Sequence, residues 1–129
     1  MTADVCADDR LQGLRVLIVE DETLVAMLLE EYLSELGCEV AASVRRVGKG
    51  LESLEHRKID AAVLDVNVAG ESVYPVAEAL ERRGIPFVFA SGYGAKGVEG
   101  NWGDRPMLQK PFGPQDLKAA LLASLAGPA

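Results

Sequence analysis

The sequence predicts an α/β protein, a doubly wound sandwich with a five-stranded parallel sheet in the order 2-1-3-4-5. Three observations predict it. Short apolar runs rich in β-branched residues alternate with longer segments of helical period. Those runs are continuous rather than alternating, as strands buried on both faces read. Polar residues gather just after the runs, where a parallel sheet with helical crossovers brings all its carboxyl ends to one edge.

Arg15–Glu20 (RVLIVE) reads as the first strand. From Glu22 to Leu36 the period changes: Val25, Leu28, Leu29, Tyr32 and Leu36 fall at helical spacing, and Gly37 suits the end. Glu39–Val44 is the second strand. Val47–Lys58 is a polar helix with Leu51 and Leu54 facing inward. Ile59–Val66 is the third strand, and its apolarity places it centrally. After a loop, Asn67–Ser72, a helix carries Val73, Val76, Ala77 and Leu80, with Pro75 in its first turn, where a missing N–H does no harm. Phe87–Ala90 and Pro106–Gln109 are the fourth and fifth strands. Pro114 opens the last helix, with Leu117, Leu121 and Leu125 on one stripe.

The segment SGYGAKGVEGNWGDR, between the fourth and fifth strands, departs from this pattern. It holds Gly92, Gly94, Gly97, Gly100 and Gly103. Each glycine inside a helix costs about 1 kcal/mol relative to Ala. The fourth helix should therefore be short and frayed, or a mobile loop, around Ala95–Trp102.

Composition narrows the function. A chain of 129 residues suits one domain, and an apolar fraction of 49% suits a globular core. Residues 1–13 read as a flexible, acidic leader and 14–127 as the folded domain. The net charge of −7 and the lack of a basic cluster speak against nucleic acid. Arg45–Arg46 and Arg82–Arg83 read as solvated helix-end charges, and His56, inside EHRK, as an exposed one. No run approaches the roughly 20 apolar residues that cross a bilayer, and no signal peptide is visible. Cys6 and Cys38 lack metal-binding spacing and read as reduced thiols, so a cytoplasmic location is expected.

The residues gathered at the carboxyl edge are Glu20 and Asp21, Asp65, Ser91 and Lys110. Three carboxylates brought together repel one another unless a cation intervenes. Mg²⁺ suits oxygen ligands, with Asp21 and Asp65 direct, Glu20 through water and the Asn67 carbonyl in reach. Asp65 can also attack phosphorus as a nucleophile, with Lys110 and Ser91 neutralising and binding the phosphate oxygens. Lys110 precedes Pro111, and a cis bond there would turn the lysine inward. Each element alone is a common turn or cap feature; their order and spacing together are specific.

The motifs VLIVEDE (16–22), VLDVN (63–67), FASG (89–92) and QKPF (109–112) resemble the receiver domain of two-component response regulators, over about Leu14 to Leu125. The resemblance implies the flavodoxin-like receiver fold. It implies Asp65 as phosphoacceptor, Glu20 and Asp21 in the acidic metal pocket, Ser91 as switch hydroxyl and Lys110 as phosphate-binding lysine. It further implies a protein that is not an enzyme on other substrates but catalyses its own phosphorylation and dephosphorylation. The phosphoryl source would be a sensor histidine kinase or phosphotransfer protein, met through the first helix, and output would reach a downstream protein by contact.

Two departures stand out. Met107 occupies the strand-five position where receivers usually carry an aromatic switch. FASGYG resembles the FATGYG-like motif of a subgroup of single-domain alphaproteobacterial receivers, which implies that ordering of Tyr93–Trp102 replaces the aromatic flip. Asn67 and Tyr93 match positions that tune phosphate lifetime. The expectation is a stand-alone regulator, monomeric or weakly dimeric. The alternatives are a receiver from a hybrid kinase or longer regulator, a phosphate sink, or a degenerate receiver used only for binding. A metal-dependent phosphohydrolase would need a different nucleophile position and a cap. A nucleotide-binding module would need a glycine-rich first loop, which EDET is not.

Overall fold

A computed structural model describes residues 9–92, 102 and 105–126. Expectations that fall on residues 1–8, on 93–101 (Tyr93 and most of the segment expected as a short or mobile fourth helix) and on 127–129 lie outside the described residues.

The elements run β1 (Arg15–Val19), α1 (Thr23–Glu35), β2 (Glu39–Val44), α2 (Val47–His56), β3 (Ala61–Asp65), β4 (Asn67–Val68), β5 (Glu71–Ser72), α3 (Tyr74–Arg82), β6 (Phe87–Ser91), β7 (Met107–Gln109) and α4 (Pro114–Leu125). The main sheet has the order β2-β1-β3-β6-β7, all parallel. With β4 and β5 set aside as a separate hairpin, this is the predicted 2-1-3-4-5 order, with the switch point between β1 and β3.

Alternation along each strand divides the core. Leu17, Val19, Ala62, Leu64, Phe87 and Phe89 face α2 and α3, where Leu54, Val76, Ala77 and Leu80 cover them. Val16, Ile18, Ala61, Val63, Val88, Ala90 and Leu108 face α1 and α4, under Leu29, Leu33, Leu117 and Leu121. β3, the central strand, is buried throughout. Helix α2 approaches closely because Gly50 has no side chain: a Cβ there would stand 3.1 Å from Val19 Cγ2 and 3.4 Å from Val76 Cγ2. Gly37 supplies the φ of +90° that ends α1 and turns the chain into β2.

Two local expectations change. Leu28, placed on the inward stripe of α1, is exposed; the buried stripe is Ala26, Leu29 and Leu33. The apolar face of α1 is thus wider than the sheet can cover, and Leu24, Met27 and Leu28 face outward. Of the expected leader, Leu11 is fully buried in the core face of α1 and α4, and Gly13 N–H donates to the Gly37 carbonyl. Cys38 is buried, and burial pushes its thiol up to about 11, which suits an unreactive thiol.

Candidate phosphoryl and cation site

The five predicted residues come together at the carboxyl ends of β1, β3, β6 and β7. Glu20 and Asp21 follow β1, Asp65 ends β3, Ser91 ends β6 and Lys110 follows β7. Glu20 is 1% exposed, and Asp65 and Ser91 are also buried. Such burial of carboxylates is uncommon without a partner.

One carboxylate oxygen from each of Glu20, Asp21 and Asp65 lies within 4.8 Å of the others. Lys110 Nζ stands 3.0 Å from Glu20 Oε1, 3.3 Å from Glu22 Oε1 and 3.5 Å from Asp65 Oδ1. The contact with Glu20 is ionic but not aligned as a hydrogen bond, so Oε1 is a buried atom that accepts none among the described residues. Lys110 is held at the pocket by its backbone as well: its N–H donates to the Ser91 carbonyl at 3.0 Å. The Lys110–Pro111 bond is cis.

The electrostatics are those of a pocket crowded with negative charge. Burial pushes the Asp65 carboxyl up to about 7, the charge of Glu20 and contacts with Glu20 and Asp21 add to this, and Lys110 offsets only part. Burial pulls the Lys110 ammonium down, but the contact with Glu20 and the charges of Asp65 and Glu20 outweigh it and leave its pKa raised.

The remaining residues frame the mouth. The β4–β5 hairpin, which replaces the loop expected over Asn67–Ser72, pairs Asn67 with Ser72 and Val68 with Glu71. Its turn places Ala69 at φ 54° and Gly70 at φ 84°. Asp21 Oδ2 accepts a bond from Ala69 N–H at 2.9 Å, and Asn67 Oδ1 accepts one from Gly70 N–H at 3.1 Å. The turn is thus tied to Asp21 of the trio, and the Asn67 side-chain oxygen is committed to that turn. Met107 pairs in register with Phe89 and packs against the α2–α3 side of the core. A groove of about 550 Å³ between β7 and α4 takes in Lys110 and Met107 but none of the acidic trio.

Sequence reasoning missed Glu22. It stands in the EDE run, but its role depends on its reach to Lys110, 88 positions away. It also missed the aromatic group around Trp102. That ring stacks on Tyr74 with centroids 5.9 Å apart and lies against Phe87 and Phe89, with Arg105 over it.

A parallel sheet with an acidic trio and a lysine at its carboxyl edge defines a doubly wound α/β protein whose edge carries a cluster that could hold a metal ion. The sequence profile described as response regulator receiver domain matches residues 16–122, and the chain belongs to that family, a signalling domain of two-component systems. Its backbone is similar to the solution structure of SdrG from Sphingomonas melonis Fr1, with TM-score 0.81, 47% identity, and coverage of 88% of this chain and 97% of that one. It is also similar to the response regulator PhyR from Brucella abortus, with TM-score 0.75, 30% identity, and coverage of 88% and 48%. Among curated relatives, it is 33% identical over 127 residues to the transcriptional regulatory protein TcrA of Mycobacterium tuberculosis, covering 92% of this chain and 49% of that one. It is 29% identical over 125 residues to PdtaR of the same species, covering 94% and 61%. The chain thus spans about half to three-fifths of the length of these curated relatives. Among the described residues, no helix is long and apolar enough to cross a membrane.

Proposed function

We propose that the chain is a response regulator that accepts a phosphoryl group on Asp65 from the phosphohistidine of a histidine kinase or phosphotransfer protein, and signals by protein contact in the cytoplasm. The observation that carries this reading is the placement of Lys110 Nζ 3.5 Å from Asp65 Oδ1, inside a pocket that also holds Glu20 and Asp21.

In the transfer, an Asp65 carboxylate oxygen forms a bond to phosphorus while the N–P bond of the donor breaks. The electron pair of that bond stays on the imidazole nitrogen. Lys110 meets the charge on the phosphoryl oxygens, and the Ser91 hydroxyl, at the end of β6, donates to one of them. Glu20, Asp21 and Asp65, with the Asn67 carbonyl, would hold Mg²⁺. The fit rests on the crowding of their oxygens, the buried Glu20 Oε1 that accepts no hydrogen bond among the described residues and the raised Asp65 carboxyl, all of which a cation relieves. When bound, the cation supplies neutralising charge to the phosphoryl oxygens.

The outward apolar residues of α1, Leu24 at 75% and Met27 at 56% exposed, support a protein partner beside the pocket. The match to SdrG over nearly that whole chain supports a regulator of single-domain length. The test is intact mass after incubation with a small phosphodonor and Mg²⁺. Wild type should gain one phosphoryl group and Asp65→Asn none; no gain in wild type, or equal gain in the variant, sinks the reading.

A further inference from the structure

The Lys110 ammonium has three N–H donors and faces three carboxylates, Glu20, Glu22 and Asp65. These three are not equivalent. Glu20 is 1% exposed and Asp65 11%, whereas the Glu22 side chain is 64% exposed. Glu22 directly precedes α1, at the position where a side chain commonly caps the first turn. Its carboxylate makes no capping bond. Instead its backbone N–H donates to Glu20 Oε2 at 3.1 Å, and its side chain reaches across the mouth to Lys110.

We infer that Glu22 is a positioning residue for phosphoryl acceptance: it holds the Lys110 ammonium at the pocket mouth in the unmodified protein and gives it up when a phosphoryl group arrives. The inference rests on the phosphoacceptor reading of Asp65. A phosphoryl group brings roughly two negative charges, and Lys110 must exchange a carboxylate to meet them. Glu20 cannot turn to water from its buried position and stays in the cation pocket, so it frees no space for the lysine to move. Asp65 is the carrier and stays in place. Glu22 alone can return to solvent at little cost, because an exposed ion pair is weak. The contact therefore competes with the phosphoryl group for the lysine, and sets how tightly the pocket takes it.

Removing the competitor should tighten the pocket by about two- to fivefold, the range of an exposed ion pair. The experiment measures the affinity for beryllofluoride, a phosphoryl stand-in, with Mg²⁺ in wild type, Glu22→Gln and Glu22→Asp. The Asp variant keeps the charge at the mouth but, one methylene shorter, loses the reach to Lys110. Both variants should bind two- to fivefold more tightly than wild type. In the absence of beryllofluoride, the ¹⁵Nζ signal of Lys110 should move in both variants and stay put in Glu39→Gln, a change at an exposed carboxylate on β2. Equal affinity in all three proteins overturns the inference, as does tightening in the Gln variant alone, which is a through-space charge effect, or an unmoved Nζ signal. Wild type that takes neither beryllofluoride nor a phosphoryl group on Asp65 is a different failure: it overturns the phosphoacceptor reading itself, and the inference with it.

Discussion

In the middle of the sheet, Val63, Leu64, Val88 and Phe89 are buried against apolar neighbours on both faces. One residue beyond Leu64 the same strand carries Asp65, pressed against Glu20, Asp21 and Lys110. Burial has opposite consequences in the two regions. In the body it removes apolar surface from water at about 25 cal/mol per Å², which stabilises. At the edge it desolvates charge and raises the Asp65 carboxyl, which costs stability. Proteins commonly carry such a cost at functional sites. Substitutions should therefore differ in sign between the two regions.

The largest effect is expected in the body. Phe89 is fully buried and its ring meets Tyr74, Phe87 and Trp102 edge-on. Phe89→Ala should cost about 3–4 kcal/mol in urea denaturation, the range for a buried aromatic. A loss below about 1 kcal/mol would show that this aromatic group is not part of the cooperative core.

At the edge the expected sign reverses. Asp65→Asn removes the charge whose folded-state pKa is raised from 3.8 to about 7. A carboxyl raised on folding holds its proton more tightly in the native state, so metal-free wild type should lose stability as pH rises from about 4 to about 7. The loss is of order a few kcal/mol at most, at about 1.4 kcal/mol for each pH unit between the two values. Asp65→Asn should flatten that slope and be the more stable protein at pH 8. Urea midpoints between pH 5 and pH 8 in chelator decide it; a variant less stable than wild type at pH 8 breaks the comparison.

Mg²⁺ should cancel part of the same cost. At pH 8 it should raise the stability of wild type by about 1.4 kcal/mol when present at ten times its dissociation constant, and raise that of Asp65→Asn much less. Thermal unfolding with and without Mg²⁺ reads this directly. Equal shifts in the two proteins place the cation elsewhere.

The body and the edge were also unequally legible. The strands announced themselves through runs such as RVLIVE, because a strand buried on both faces cannot hide its composition. The site residues were legible through strand order alone: once the carboxyl ends share an edge, Glu20, Asp21, Asp65, Ser91 and Lys110 must meet. What stayed hidden depends on reach and crowding. Leu28 satisfies helical spacing but faces outward, because periodicity gives a stripe and not its width. Trp102 sits among five glycines, and nothing local shows that its ring stacks on Tyr74. The β4–β5 hairpin was missed because its turn carries Ala-Gly, where Asn-Gly or Asp-Gly is the recognisable signal.

That turn supplies the smallest predicted effect and the sharpest test of the sign rule. Ala69 has φ 54°, a left-handed conformation that costs a non-glycine residue roughly 1 kcal/mol. Its N–H donates to Asp21 Oδ2, one of the acidic trio, so the turn's strain and the pocket's charge are joined by one hydrogen bond. Glycine adopts this backbone freely, but it also gains freedom in the unfolded chain, which offsets part of the relief. Ala69→Gly should therefore gain about 0.5 kcal/mol, where the same exchange inside a strand or helix costs a similar amount. If urea denaturation shows Ala69→Gly to be destabilising, the strain is not stored at the turn, and the cost of the edge lies in its charges alone.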